Sequence, residues 1–340
     1  MSRIIFQSIL KRSFRKSSPW APPKISSIGN VNKMCDQAAS KSKLSDRLLQ
    51  IGNFNVYCWS ISGIETTVVV KKPSDGFSCC FDMGYACRHN IPCDKVMISH
   101  GHMDHISAVP QHIKKRELSS LKPASYYVPP HLVDNLLKVC SGFDGLSENT
   151  KGLKDPNIIG VKAGEEINLS RGYFAIPFPT VHRVSSQGYI IYSTHKKLAP
   201  KYEGLDPKQI AVCIRNGEDI FDEPEIIPEV AFTGDTTFEV FSQCPQDVFR
   251  VKLLIMEATY INNDEGTLEE RVSLARKWGH IHLSELYENA SMFENVDNIL
   301  LMHLSDKYSC GYIRTKVFEN IPESLKDKIH VSTLAKEHYI

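Results

Sequence analysis

The sequence lacks the features that would place the protein in a membrane or in an oxidising compartment. No apolar run approaches the roughly 20 residues needed to cross a bilayer, so we expect no membrane partner. Ten cysteines occur among the 340 residues, but none forms the C-x-x-C pair of a structural zinc site, and no export signal precedes them. We therefore predict reduced, buried thiols. At 42% hydrophobic, the chain is long enough to bury a full core.

Acidic residues are absent from the first 35 positions, which carry seven lysines and arginines and many serines. Apolar residues recur there at helical spacing from Ile4 to Phe14, and a secretory apolar region is missing. This composition predicts an organellar transit peptide over residues 1–45, mitochondrial first and chloroplast second, with a disordered basic tail as the alternative. Because the whole chain carries +1, residues 36–340 carry −6, and any polyanion must be held by a local patch.

The remainder of the chain alternates strand-like and helix-like stretches. Predicted strands such as Lys95–Ser99 and Ser125–Val128 alternate with predicted helices at Ala108–Leu118 and Leu132–Cys140. Such alternation is typical of an α/β fold. No internal repeat, low-complexity segment or linker divides it, so residues 46–340 are predicted to form a single catalytic domain.

One predicted helix is delimited by clear terminal signals. It begins after Thr267, which forms a capping box with Glu270, and it ends at Gly279. Its apolar stripe, the side expected to face the core, comprises Leu268, Val272, Ala275 and Trp278.

The densest group of metal ligands follows the predicted strand Lys95–Ser99. In a loop at the strand end, His100 and His102 can converge on one cation, and Asp104 and His105 can reach a second. Imidazole and carboxylate without thiolate suit zinc, with manganese or iron possible. We therefore predict a metal site here rather than a loop of surface histidines.

Other polar residues follow predicted strands elsewhere in the chain. Two sets of ligands with one shared carboxylate can be assembled: His100, His102 and His182 for one cation, Asp104, His105 and His303 for the other, and Asp235 between them. Two cations about 3.5–4 Å apart activate water and neutralise a developing oxyanion, which suits hydrolysis of a phosphodiester, thioester or amide. Glu257 and His280 remain available as a pair for proton delivery to the leaving group.

Two further stretches each have two interpretations. Asp82, in Asp-x-Gly at a predicted strand end, either orients a metal-bound histidine or belongs to an ordinary turn. Residues 195–222 contain Lys196, Lys197, Lys201 and other basic residues among proline and glycine. They form either a solvated loop or a basic arm that holds an anionic polymer away from the chemistry.

Several motifs, taken together, resemble tRNase Z, the tRNA 3′-processing endonuclease family of the metallo-β-lactamase superfamily, in its short plant-type form. His100–His105 matches the superfamily signature H-x-H-x-D-H, and the Glu257 and His280 motifs are specific to the family. The resembling stretches are Ser99–Ile106, His182 with Ser186–Tyr189, Ala231–Thr236, Glu257–Thr259, Gly279–Glu285 and His303–Ser305.

The resemblance implies an αββα four-layer sandwich with two zinc ions, usually as a homodimer. It also implies cleavage of precursor tRNA just 3′ of the discriminator nucleotide, leaving a 3′-hydroxyl. Carried over by position, the seven ligands are those assigned above, and Asp104 also helps to orient or deprotonate the attacking water. Glu257 and His280 act as a relay, with His280 protonating the departing oxygen. Ser305 lies near the scissile phosphate, and residues 195–222, with Lys196 and Lys197, correspond to the tRNA-gripping arm.

The chain departs from the family pattern at three positions. Ser107 and Ala108 replace glycines after His105, which predicts that their Cβ atoms crowd backbone beneath the metal site. Lys307 stands near the position where the family tends to have arginine, so a point charge replaces a bidentate donor. Two alternatives to the RNA-processing function are a small-molecule hydrolase of the same fold, acting on a thioester or cyclic phosphodiester, and an RNA-binding protein that keeps metal without turnover.

Overall fold

The first half of the described chain forms a mixed sheet of seven strands that lie in chain order. The computed structural model describes residues 47–147, 156–170, 172–261 and 266–339, so the predicted transit peptide over residues 1–45 lies outside the described residues. The first three strand pairings are antiparallel and the last three are parallel. The strands are β1 (Leu49–Ile51), β2 (Phe54–Ile61), β3 (Glu65–Lys72), β4 (Phe77–Phe81), β5 (Lys95–Met97), β6 (Ser125–Val128) and β7 (Asn157–Gly160).

The second half forms another seven-stranded sheet on the same plan. Three antiparallel pairings again precede three parallel ones. The strands are β8 (Ile167–Ser170), β9 (Tyr173–Pro179), β10 (Gln187–His195), β11 (Glu225–Phe232), β12 (Leu253–Glu257), β13 (Ile299–Met302) and β14 (Ile329–Val331). The halves share a topology that the sequence does not reveal as a repeat, because topology depends on turns and crossovers rather than on residue identity.

Helices occupy most of the crossovers between parallel strands, which need longer connections than a hairpin turn. The described residues contain α1 (Met103–Ile106), α2 (Val109–Leu118), α3 (Val133–Leu146), α4 (Pro207–Arg215), α5 (Leu268–Trp278), α6 (Leu283–Glu288), α7 (Cys310–Glu319) and α8 (Leu334–Tyr339). None of the helices in this part of the chain combines the length and apolar character of a membrane span.

Three hydrophobic clusters establish the order of the layers. The central cluster contains inward-facing residues of both sheets, including Val68, Phe81, Phe232 and Leu300. The rings of Phe81 and Phe232 stack across the interface, with centroids 4.6 Å apart. The other clusters lie on the outer faces, where α2, α3 and α8 cover the first sheet and α6 and α7 cover the second. The predicted αββα four-layer sandwich is confirmed.

Helix α5 has the predicted ends but not the predicted buried face. Thr267 and Glu270 form both hydrogen bonds of the capping box, and Gly279 ends the helix with a φ of 81°. Of the predicted apolar stripe only Ala275 is buried, whereas Leu268 and Trp278 are exposed. The prediction of a core-facing stripe was therefore wrong, because the helix contacts the core through a narrow strip.

The segment from 195 to 222 also differs from a plain loop. It contains α4, which opens with a capping box between Asp206 and Gln209, and its ends are joined by a bridge between Leu198 and Phe221. The helix has no buried residue. The apolar residues of this helix form one continuous run, Ile210 to Ile214, and so short a run gave no clear helical period in the sequence.

The nine cysteines of the described residues are free thiols, as predicted; six of them are buried, whereas Cys87, Cys213 and Cys310 are only half-buried. Among the described side chains, the groups that come close enough to share a cation include no cysteine. Burial raises the pKa of Cys58 and of Cys93 to about 12, which keeps these thiols protonated and unreactive.

Replacing Gly84 should destabilise the fold, since a Cβ there would lie 1.8 Å from the carbonyl oxygen of Asp104 and 2.7 Å from the amide nitrogen of Thr66. We expect Gly84→Ala to lower the free energy of unfolding by about 2 kcal/mol or more, because backbone atoms must move apart. Urea denaturation followed by circular dichroism measures the change.

Gly142→Ala is the matched control, because the same Cβ at this helical position has nothing within 4 Å. It should raise the free energy of unfolding by about 0.5–1 kcal/mol through helix propensity. Equal destabilisation by both variants would contradict the assigned role of Gly84.

Candidate metal centre

The candidate site lies where the parallel strands of both sheets end. His100 follows β5, Asp235 follows β11 and His303 follows β13, while His182 lies in the turn between β9 and β10. The carboxyl ends of neighbouring parallel strands meet at one sheet edge, which brings polar residues from distant parts of the chain together. All seven ligands predicted from the sequence fall into two groups of four that share Asp235.

Five of the six distances within the group of Asp104, His105, His303 and Asp235 are nearly equal. Nε2 of His105 lies 3.3 Å from Nε2 of His303, 3.3 Å from Oδ2 of Asp104 and 3.2 Å from Oδ2 of Asp235. Nε2 of His303 lies 3.3 Å from the same two carboxylate oxygens. In a regular tetrahedron, edges of this length place the centre about 2.0 Å from each corner, which matches zinc–nitrogen and zinc–oxygen bonds.

The other group is formed by His100, His102, His182 and Asp235. Nδ1 of His102 lies 2.9 Å from Nε2 of His100 and 3.3 Å from Nε2 of His182. Oδ2 of Asp235 lies 3.8 Å from Nε2 of His100. The other oxygen, Oδ1, is buried and has no hydrogen-bond partner among the described residues. A buried carboxylate oxygen without a partner is costly, and a cation between the imidazoles would satisfy it.

A buried carboxylate orients one histidine of each group. Nδ1–H of His105 donates to Oδ2 of Asp82 at 2.7 Å, and the backbone N–H of Ser99 donates to Oδ1 at 2.7 Å. The Ser99 hydroxyl donates to Asp82 and accepts from Nδ1–H of His100 at 2.9 Å. These bonds assign the tautomers that leave each Nε2 lone pair for a cation. Of the two interpretations of Asp82, the geometry supports the orienting one.

Two further histidines are oriented by other partners. Nδ1–H of His182 donates to the carbonyl of Gly279 at 2.8 Å, and Nδ1–H of His303 donates to the hydroxyl of Thr259 at 2.9 Å. His303 adopts a φ of 58°, in the left-handed region that non-glycine residues seldom occupy. A cluster of imidazoles held with their lone pairs converging is the arrangement a metal ligand set requires.

Electrostatics agrees with such a set. Burial and neighbouring imidazoles hold the pKa of His100 and of His102 below its usual value, so both rings are neutral. Burial alone would raise the pKa of Asp104, but His105 and His303 lower it and keep the carboxylate ionised. Burial alone would lower the pKa of His105, but the carboxylates of Asp235 and Asp82 raise it. In the metal-free protein His105 therefore carries a proton that offsets the charge of these carboxylates. Neutral imidazole and ionised carboxylate are the ligating forms.

The Glu257 carboxylate is fully buried beside this centre. It accepts hydrogen bonds from the N–H of Thr236 at 2.6 Å and from the Thr259 hydroxyl at 2.6 Å. Nδ1–H of His280 donates to its two oxygens at 3.0 and 3.1 Å. Burial alone would lower the pKa of His280, but the Glu257 carboxylate raises it to about 9. At neutral pH His280 therefore carries a second proton on Nε2, the state of a general acid.

The predicted substrate-binding residues are dispersed. Ser305 lies two residues after the candidate ligand His303 and donates its N–H to the carbonyl of Thr259 at 3.0 Å. Lys196 lies over the ring of Phe221 at 5.5 Å, and Lys197 pairs with a glutamate of β11 at 2.5 Å, both at the far end of β10. Ser305 is therefore part of the centre's surroundings, whereas the two lysines are not.

The departures from the family pattern, where crowding was expected, have ordinary backbone angles, since φ is negative at both Ser107 and Ala108. Ser107 is exposed and has ordinary helical dihedral angles. Ala108 packs into the outer cluster on the first sheet and donates its N–H to the carbonyl of Met83 at 2.9 Å. Lys307 lies over the rings of Tyr260 and Tyr308, with 5.3 and 5.0 Å from Nζ to the ring centroids.

Sequence reasoning assigned no function to two hydroxyls that link the centre. Ser99 joins His100 to Asp82, and Thr259 joins His303 to Glu257. Both residues stand inside recognised motifs, but a hydroxyl one or two residues from a ligand has no distinctive spacing. Only the fold shows which side chains they connect.

Comparisons with known proteins agree with this architecture. The tRNase Z TRZ1 of Arabidopsis thaliana is 35% identical over 291 residues, which cover 84% of this chain and 98% of that protein. The chloroplastic tRNase Z TRZ2 of the same plant is 32% identical over 283 residues, covering 82% of this chain and 75% of that protein. No protein-family model matches the chain.

Solved structures share the fold. Unliganded yeast PDE1 superposes with a TM-score of 0.51 over 82% of this chain and 97% of that chain. Its sequence is 12% identical, so this likeness concerns the fold alone. The identity and coverage of the Arabidopsis proteins identify the group more narrowly: the chain belongs to the tRNase Z family.

Proposed function

We propose that this protein is a metal-dependent endoribonuclease that removes the 3′ trailer of precursor tRNA. The relatives are named tRNase Z, and the proposal is supported most by one arrangement: two four-ligand groups adjoining a carboxylate–histidine pair. A small-molecule hydrolase of this fold would need the metal ligands but not the carboxylate–histidine pair. A protein without turnover would be favoured by a damaged centre, but the seven side chains converge and the backbone at Ser107 and Ala108 has negative φ angles.

The seven side chains would hold two zinc ions, with Asp235 contributing to both positions. Bound there, divalent cations lower the pKa of water and neutralise charge on the phosphate. Asp104, whose Oδ2 accepts from the N–H of Gly63 at 2.9 Å, stays ionised and orients the attacking water. Ser305, two residues after His303, is proposed to contact the scissile phosphate.

The chain itself supplies the proton for the leaving group. As the water oxygen bonds to phosphorus, the bond from phosphorus to O3′ of the discriminator nucleotide breaks. Nε2–H of His280 protonates that O3′, which leaves a 3′-hydroxyl on the tRNA and a 5′-phosphate on the trailer. Glu257 stabilises the protonated imidazole and is itself fixed by Thr236 and Thr259, so the donor keeps its position.

Residues 195–222 are proposed as the tRNA-contacting arm. They hold five basic and five acidic side chains, so the arm has no net charge, contrary to the basic arm expected. From Gln187 at the site edge to His195 at the arm, β10 advances about 26 Å at roughly 3.3 Å per residue. An arm at this distance suits contact with a remote part of the tRNA, or with a tRNA in a partner's site, and we therefore also propose a homodimer.

The proposed location is mitochondrial, with the chloroplast as the alternative. The acid-free, basic composition of the first 35 residues supports an organelle, and one relative, TRZ2, is named chloroplastic. The amino-terminal sequence of the mature protein tests this: an intact Met1 would exclude a cleaved transit peptide.

The proposed reaction can be tested directly. Purified protein should cut a precursor tRNA carrying a 3′ trailer immediately after the discriminator, and a chelator should abolish cleavage until zinc is restored. His102→Ala should lose activity and part of the bound metal, measured by elemental analysis. Faster turnover of a thioester or cyclic phosphodiester than of precursor tRNA would favour the small-molecule hydrolase.

His280→Ala should separate proton delivery from metal binding. Because the residue is assigned as a general acid, kcat should fall by about 100-fold or more. Metal content should equal that of the wild type, in contrast to His102→Ala. Loss of metal from His280→Ala would show that His280 is a ligand rather than a proton donor.

Lys196→Glu tests the arm. Since Lys197 is already paired with a glutamate, Lys196 is the more available cation, and its reversal should raise KM for precursor tRNA several-fold with little change in kcat. Lys138→Glu, on the exposed face of α3, is the matched charge reversal. The arm assignment fails if both variants raise KM equally.

A further inference from the structure

The centre is bordered by an exposed cation–aromatic pair that no metal or proton-transfer role explains. The guanidinium of Arg183 lies 5.0 Å from the ring centroid of Trp278. Trp278 is 44% exposed, whereas Trp59 is 1% exposed in the core. An indole left this open to solvent beside a polar centre is unusual, because large aromatic side chains are mostly buried.

Both members of the pair adjoin residues already assigned. Arg183 follows the ligand His182, and Trp278 precedes His280, the proposed proton donor, by two positions. The rings of His182 and His280 have centroids 5.3 Å apart. Short backbone segments therefore connect the pair to His182 and His280, the two side chains between which the leaving oxygen would pass.

Gly279 fixes the distance between the pair and the centre. Its carbonyl accepts from Nδ1–H of His182 at 2.8 Å, and its φ of 81° turns the chain out of α5. A Cβ at this position would lie 2.6 Å from Nδ1 of His182 and 3.1 Å from Cγ of Arg183. The absence of a side chain here lets Trp278, Arg183 and His182 pack closely around Gly279.

The local charge favours an anionic polymer at this point. The last turn of α5 carries Arg276 and Lys277, and Arg183 adds a third cation. Arg276 is paired with Glu285 at 2.7 Å, so Lys277 and Arg183 supply the net positive charge here. By contrast, residues 36–340 carry −6 and the arm carries no net charge. A local excess of positive charge, which an RNA ligand requires, is therefore found beside the centre, at the carboxyl end of α5.

We propose that Trp278, with Arg183, is a stacking platform for an unpaired nucleotide next to the scissile phosphate. This inference rests on the proposed function and adds a substrate-positioning residue to it. A nucleobase stacks on an indole whatever its sequence, and an arginine beside it contacts the adjoining phosphate. The platform would hold the flanking nucleotide so that O3′ faces His280.

The test compares Trp278→Leu with the wild type on three precursor tRNAs: unmodified, abasic at the discriminator, and abasic at the first trailer nucleotide. On the unmodified substrate we expect kcat/KM to fall about five- to 100-fold, as when a stacked base loses its aromatic partner. On the abasic substrate that lacks the stacking base, Trp278→Leu and the wild type should cleave at similar rates. Trp278→Phe should restore most of the loss.

Phe143→Leu is the matched control, because Phe143 is 50% exposed in the second half of α3. This helix runs from the site edge of β6 back towards the start of β7, so Phe143 lies near the opposite edge. Phe143→Leu should cleave all three substrates at the same rates as the wild type.

Three results would overturn the platform while leaving the proposed function intact. They are wild-type activity of Trp278→Leu on the unmodified substrate, an equal loss on all three substrates, and a change of oligomeric state by light scattering, which would make Trp278 a protein contact. Absence of cleavage by the wild-type protein would instead refute the proposed function itself.

Discussion

The centre depends on one buried carboxylate. Asp82 ends β4 in a left-handed conformation, φ 55°, and from there binds Ser99 and His105 at once. Through the Ser99 hydroxyl it also determines the orientation of His100. A single carboxylate thus orients one candidate ligand in each of the two groups. The backbone strain of such a conformation, of order 1–3 kcal/mol, is offset by a carboxylate with all its partners in place.

The parts that the sequence predicted correctly are those specified by short local patterns. Strand ends followed by histidine or aspartate gave the seven candidate ligands, and Thr267 and Gly279 gave the ends of α5. Burial was predicted less well, because it depends on what packs against an element. The apolar stripe of α5 was misjudged for this reason, whereas the helix within residues 195–222 was missed because its sequence shows no clear helical period. The shared topology of the two sheets could not be predicted from the sequence, since no residue pattern repeats between the two halves.

The ligands and the proton-transfer pair form one connected system. Thr259 accepts from His303 and donates to Glu257, which in turn binds His280. A change at the group that contains His303 therefore reaches the proposed general acid through three hydrogen bonds. Buried polar chains of this kind are rigid when every member is satisfied, and here the members come from β12, β13 and the loop after α5.

Neither half of the chain contains a complete ligand set. The first sheet contributes His100, His102, Asp104 and His105, and the second contributes His182, Asp235 and His303. A cation in either position would therefore bridge the two sheets, much as a crosslink does. Since such a cation binds the native chain and not the unfolded one, conformational stability becomes a function of free metal concentration, increasing by about 1.4 kcal/mol per tenfold rise above the dissociation constant. The supply of metal would then control how long the protein survives as well as how fast it works.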